Sequence, residues 1–330
     1  MVKYIIKRLL WTIPVLLVVI IAVFTIMYFT PGDSIYALYG QDITQEQYDK
    51  LAESMGLSGG YWERLGNYLW GIVSRFDFGS SYVSKRPVVT MIAERLKPSL
   101  IIGIFSVIFS QLIAIPIGIV AATHHQKGLD WGIITGCVVF SCIPQYIIAV
   151  FLMLIFCLQL RWFPAAGISS WKHYVLPIVA GLIGGGVQTI KMTRSSMLEV
   201  IRQDYIRTAR AKGVPERSVI YKHTLKNALI PVLTTIGMQV GGAMGGSILA
   251  ETVFTIPGMG LLLREATGNL DFPVIMGNII FMTTCHAVIN LLTDIVYGFV
   301  DPRVYVSLYG KKREKKKKTP QIQQPGGASA

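Results

Sequence analysis

Six stretches without a single Lys, Arg, Asp or Glu constrain this chain more than any other feature in it. They cover residues 9–29, 99–122, 131–160, 174–190, 228–250 and 272–293. A backbone inside hydrocarbon must satisfy its own hydrogen bonds. A helix rising about 1.5 Å per residue then needs about 20 residues to cross a core of about 30 Å. Five of the runs reach that length, and the run at 174–190 has 17 residues. Charged residues make up only 15% of the chain, against about 25% in a soluble domain. This pattern excludes a soluble enzyme, a secreted disulfide scaffold and a disordered chain. The expected fold is all-α, a polytopic membrane protein with six transmembrane helices.

The net charge of +13 is unevenly placed. Lys3, Lys7, Arg8, Lys127, nine basic residues between 191 and 226, and eight between 303 and 318 account for 21 of the 31 Lys and Arg. With six spans all of these fall on one side, and the positive-inside rule makes that side, with both termini, cytoplasmic. Basic residues that follow membrane sidedness point to the lipid bilayer and not to nucleic acid. The run at 9–29 is too long for a signal-peptide core and lacks a small-residue cleavage site, so it reads as a retained first helix. Cys137, Cys142, Cys157 and Cys285 all lie in apolar runs without metal-ligand spacing and read as small hydrophobes. Three regions follow: residues 1–98, a first helix plus a large extracytoplasmic loop; residues 99–303, a five-helix core with a cytoplasmic loop at about 195–227; and residues 304–330, a basic disordered tail.

In the outer loop, Thr44 and Gln47 fit a capping box before Tyr48, Leu51, Ala52 and Met55, with Gly56 as the stop. Leu65, Leu69, Ile72 and Phe76 share a second helical face. Both stretches read as short helices against the outer membrane face. Pro144, midway through a 30-residue run, predicts a kinked or tilted third span. Gly181 and Gly185, then Gly237, Gly241 and Gly245, and Gly242 and Gly246, recur at the four-residue spacing that lets helices approach closely in lipid. Residues 193–212 contain no glycine and are helix-prone; Gly213, Val214 and Pro215 then break the chain. A helix–Gly–helix unit as the only substantial internal cytoplasmic loop points to contact with a partner.

No metalloprotease, nucleophile-elbow, phosphate-loop or Cys-x-x-Cys pattern is present in the sequence. His286 is the one ionisable group well inside a run, while Lys191, Glu251 and Asp294 mark run ends. A carrier driven by an ion gradient needs a carboxylate or Lys near the midplane. The chain therefore reads as a pore-forming subunit powered by a partner, with a self-sufficient secondary transporter or channel as the alternative of another class. Gln145, Gln188, Gln239, Asn278, His286 and Asn290 are the polar candidates for lining a pathway, or equally for hydrogen bonds between helices.

The segment Asp204-Tyr-Ile-Arg-Thr-Ala-Arg-Ala-Lys-Gly213, followed by Leu225-Lys-Asn-Ala-Leu-Ile-Pro231, resembles the cytoplasmic loop of binding-protein-dependent ABC importer permeases. It is most similar to the B-type permeases of the dipeptide, oligopeptide and nickel family. Further motifs agree in order: Tyr4-Ile-Ile-Lys-Arg8, Pro31-Gly32-Asp33, Asp77-Phe-Gly-Ser-Ser81, Arg95-Leu-Lys-Pro98, Glu251-Thr-Val-Phe-Thr-Ile-Pro-Gly258, Asp271-Phe-Pro273, Asn290-Leu-Leu-Thr-Asp-Ile-Val-Tyr297 and Asp301-Pro-Arg303. Of the superfamily's Glu-Ala-Ala…Gly…Ile…Leu-Pro loop the chain keeps Ala209, Gly213 and Leu225, with Arg207, Thr208, His223 and Lys226 at the other positions.

The resemblance implies a type I importer permease, half of a translocation pathway for short peptides, or alternatively for nickel or another metal chelate. Its implied partners are a second homologous permease subunit, one or two ABC ATPase subunits and an extracytoplasmic substrate-binding protein. It implies no catalytic site, metal or cofactor on this chain, ATP and Mg being used by the ATPase subunits. It also implies a coupling helix near residues 207–215, with Asp204, Arg207, Thr208, Ala209, Arg210, Ala211, Lys212 and Gly213 in the ATPase-coupling loop.

Overall fold

The computed structural model describes residues 2–30, 34–244 and 248–300, and its described residues form helices with one isolated β-bridge between Ser80 and Pro87. In chain order the helices are α1 (Val2–Phe29), α2 (Ser34–Tyr39), α3 (Gln45–Ser54), α4 (Tyr61–Arg75), α5 (Val88–Thr123), α6 (Gly128–Cys142) and α7 (Gln145–Leu152). They continue with α8 (Lys172–Ile201), α9 (Asp204–Ala211), α10 (Glu216–Ser218), α11 (Leu225–Met244), α12 (Ile248–Val253), α13 (Met259–Gly268) and α14 (Phe272–Val300). Two π-helical segments, Met153–Gln159 and Val219–Thr224, extend α7 and lead into α11. Pro31-Gly32-Asp33, Gly245, Gly246, Asp301-Pro-Arg303 and the basic tail lie outside the described residues.

Four helical stretches are long and apolar enough to cross a bilayer alone: Leu10–Phe29, Val88–Thr123, Lys172–Ile201 and Phe272–Thr293. The 30-residue third run supplies a fifth only as a pair, α6 and α7 with its π extension, bent by 93°. A ring on Pro144 pushes the preceding residue out of helical geometry, and Ile143 is extended at φ −89°, ψ 117°. Pro144 then starts α7, so the expected kink is a full break. Among the described residues α11 does not count as a span by itself: Lys226, Asn227, Pro231 and Gln239 dilute it, and residues 245–247, between α11 and α12, lie outside the described residues.

The capping box forms as the sequence indicates: Thr44 Oγ1 accepts from Gln47 N and Gln47 Oε1 accepts from Thr44 N at 3.0 Å. Leu65, Leu69 and Ile72 of α4 pack with Phe24 of α1 and Met276 of α14. Phe76 departs from that face: it lies past the helix at φ +51° and is exposed.

Helices gain nothing from hydrophobicity against lipid tails, so close approach of small residues holds the bundle. α5 and α8 pack along each other most extensively, and α11 lies against α5, α8 and α14. A Cβ on Gly181 would sit 2.5 Å from Ser106 Oγ, one on Gly118 2.6 Å from Thr193 Cβ, and one on Gly103 2.5 Å from the Ala243 carbonyl. At one end of the bundle Ile119, Ala122, Met197 and Ala228 form a buried cluster with Ile201 and Ile220. α9 lies against the π-helical segment Val219–Thr224, which contributes Ile220 to that cluster.

Candidate coupling helix and interhelical polar cavity

The segment 193–212 is two helices, not one. α8 ends at Ile201, Gln203 turns extended, and α9 opens on Asp204, whose charge suits the helix's positive end. Ile206 is fully buried and roots α9, while the Asp204 and Arg207 side chains are 99% and 78% exposed. The helix closes in a Schellman turn: Gly213 N donates to Arg210 O at 2.9 Å and Val214 N to Ala209 O at 3.2 Å. Gly213 sits at φ +75°, where an L side chain is strained.

The Arg210 guanidinium forks onto Glu216 across the turn, Nη2 to Oε1 at 2.7 Å and Nε to Oε2 at 3.1 Å. This contact holds the Glu216 carboxyl below its ordinary pKa and raises that of Arg210. Asn227 Nδ2 donates to Tyr205 Oη at 3.1 Å and fastens α9 to the base of α11. Asp204, Arg207, Thr208, Ala209, Arg210, Ala211, Lys212 and Gly213 thus share one rigid helix-and-turn, all but the half-buried Ala209 exposed. Arg210 is held by Glu216, whereas Arg207, whose Nη1 lies 4.0 Å from Asp204 Oδ1, and Lys212 are exposed outward cations.

Of the six polar pathway candidates, two line one cavity. Gln145 and Gln239 line a cavity of about 250 Å³ between α5, α7, α8 and α11, with Ser106, Ser110, Gly181 and Gly185. Gln239 is held by a residue that sequence reading passed over: Gln111 Nε2 donates to Gln239 Oε1 at 3.0 Å. Gln239 Nε2 in turn donates to Thr189 Oγ1 at 3.1 Å and Gly185 O at 3.3 Å. Gln111 is the one amide in run 99–122, the same signal that singled out Gln145. Ser110 Oγ and Gln111 Oε1 are buried without a hydrogen-bond partner among the described residues.

The remaining four lie elsewhere. Gln188 is exposed. His286 and Asn290 sit together on α14 opposite Gly241, where each would lie 3.1 Å from an added Cβ. Asn278 is fully buried and donates to Met259 O at 2.9 Å, a strut between α14 and α13.

Glu251 reads from sequence as a run-end charge, yet it is fully buried. Its Oε1 accepts from Ser99 Oγ at 2.7 Å, and its Oε2 from Gly260 N at 2.7 Å and Leu261 N at 3.2 Å. The carboxylate caps the first turn of α13, whose free N–H groups and dipole favour an anion. Ser99 Oγ also accepts from Met259 N at 2.8 Å, so α5, α12 and α13 close on one polar knot.

Two family matches cover the chain. Residues 114–306 match the binding-protein-dependent transport system inner membrane component, and residues 1–103 match the corresponding N-terminal membrane component. The chain belongs to this permease family. The permease is 36% identical over 306 residues to the glutathione transport system permease protein GsiC of Escherichia coli (strain K12), covering 92% of this chain and 99% of that one. It is 37% identical, with the same coverage, to GsiC of Salmonella typhimurium. Its fold is similar to a chain of the MetNI methionine ABC transporter in an inward-facing conformation, at TM-score 0.56 and 17% identity, over 64% of this chain and 97% of that one. The permease is thus the membrane component of an ABC transporter, embedded through several apolar helices.

Proposed function

We propose that this permease is one of two homologous membrane subunits of a bacterial ABC importer that moves short peptides across the cytoplasmic membrane. In this reading six spans leave both termini in the cytoplasm, α9 docks in a groove on a partner ATPase, and a binding protein delivers substrate from outside. ATP and Mg are used on the ATPase, and its closure moves the bundle through α9 as a rigid body. The observation that carries the reading is α9 itself: a buried Ile206 root, a glycine-closed turn, and outward Arg207 and Lys212 beside small Thr208 and Ala211. The peptide assignment draws on the cavity, whose lining offers amides and hydroxyls and no ionisable group, and on the GsiC relatives, named for glutathione.

Mass spectrometry of what co-purifies with the tagged chain from native membranes in mild detergent tests the reading. A second permease and one or two phosphate-loop ATPases in comparable amounts are expected. Recovery of the chain alone or as a homo-oligomer would overturn it and return attention to a carrier centred on His286.

A further inference from the structure

α6 is poorly gripped by packing. Of its 15 residues only Asp130 and Cys137 are buried. Asp130, 3% exposed, is held by a two-pronged contact from α8: Arg194 Nε donates to Oδ1 at 2.6 Å and Nη2 to Oδ2 at 2.7 Å. Gln126 N donates to the same Oδ2 at 3.0 Å, and His125 Nδ1 lies 3.2 Å from Oδ2 and 3.1 Å from Arg194 Nη2. A second tie runs near the other end of α6, where Lys191 Nζ donates to Ser141 Oγ at 2.9 Å.

These ties join two features already described. Arg194 stands two turns before the end of α8, which hands over to α9 through Arg202 and Gln203. The far end of α6 is the break at Ile143–Pro144, immediately beyond which Gln145 lines the cavity. A bidentate Arg–carboxylate pair fixes orientation as well as distance, which a sparse apolar contact does not. Loss of one partner would leave a buried charge unmatched.

We propose that Asp130 and Arg194 are positioning residues that pass movement of α9, through α8, to the hinge at Ile143–Pro144 and so to Gln145. The inference rests on the permease reading and adds to it the joint by which an ATPase stroke reaches the cavity. Coupling of this kind requires a contiguous link whose removal uncouples the two ends. The clamp supplies the charged part of that link, with the single Lys191–Ser141 hydrogen bond as the other polar tie between α6 and α8.

Hydrogen exchange of the whole importer, purified through a tag on this chain and compared with and without ATP plus vanadate, tests the proposal without knowing the substrate. In the native complex nucleotide is expected to change exchange both at residues 204–213 and at residues 143–147. In Arg194→Gln the change at 204–213 should persist while that at 143–147 falls several-fold. Asp130→Asn keeps the side-chain shape and should act alike, and Arg194→Lys, which keeps the charge without the fork, should give an intermediate loss. If Arg194→Gln fails to assemble with the ATPase, the other two variants decide. A role confined to stability would alter exchange around 124–130 with or without nucleotide and leave the nucleotide-dependent difference at 143–147 intact, which would overturn the proposal. Absence of any nucleotide response at 204–213 in the native complex would count against the permease reading itself.

Discussion

A carboxylate with no exposure to solvent is tolerable only where donors surround it, and Glu251 meets three of them, one from α5 and two from the first turn of α13. Glu251→Ala strips the cap from α13, removes one acceptor of Ser99 Oγ and leaves two backbone N–H groups unpaired. A buried donor left without its acceptor costs about 1–3 kcal/mol, so the variant should melt well below the native protein in detergent. Glu251→Gln keeps an acceptor and should lose less. Thermal unfolding followed by fluorescence ranks the three; an alanine variant as stable as the native chain would remove Glu251 as the tie. Gly258 is part of the same site, because a Cβ there would collide with the Glu251 carboxyl and lie 2.5 Å from Ser99 Oγ. Gly258→Ala should therefore destabilise despite its small size.

At the scale of single helices, Gly213 separates two effects that one substitution would confuse. Its surroundings are open, so Gly213→Ala meets only the left-handed backbone penalty of about 1–2 kcal/mol. Gly213→Pro cannot reach φ +75° and also loses the N–H that bonds Arg210 O. The alanine variant should retain uptake, and the proline variant should insert normally yet hydrolyse ATP without transport. Normal uptake by the proline variant would detach the turn from coupling.

The Arg210–Glu216 pair contributes less. With side chains 40% and 56% exposed, it is worth under about 1 kcal/mol. Because Arg210 lowers the Glu216 pKa, the contribution is complete above the unfolded carboxyl's value of about 4.3 and is lost as pH falls through the lower folded value. The melting difference between the native chain and Glu216→Gln should therefore shrink on acidification.

Local chemistry was legible in the sequence where one segment decides its own conformation. The Thr44–Gln47 capping box and the Gly56 and Gly213 stops stand where spacing puts them, Gly56 at φ +68°. Partners from distant segments were not legible. Ser99 reaches Glu251 across 152 positions, and Arg194 reaches Asp130 across 64. No local pattern announces either contact. Phe76 fits the apolar period of α4 but falls one residue past its end, where the chain has already turned away.

For the whole molecule the 93° break between α6 and α7 is decisive, because it admits either a bent span or a loop that returns to its own side. Each arm has 15 residues, about 22 Å of helix. Two such arms at right angles, each inclined about 45° to the membrane normal, together cover about 31 Å, the thickness of the hydrocarbon core. One arm upright with the other in the plane would not cross. The bent-span arrangement puts residues 161–171 outside and keeps the basic segment 202–227 inside, in accord with charge sidedness; a returning loop reverses both. Single cysteines at exposed Glu53, Ser169 and Lys222, in a chain whose four native cysteines are replaced by serine, distinguish the two with a membrane-impermeant maleimide. Glu53→Cys and Ser169→Cys should react in intact cells, and Lys222→Cys only after permeabilisation. Protection of Ser169→Cys together with labelling of Lys222→Cys from outside would make the pair a returning loop, move α9 to the wrong side for an ATPase, and end the coupling assignment with it.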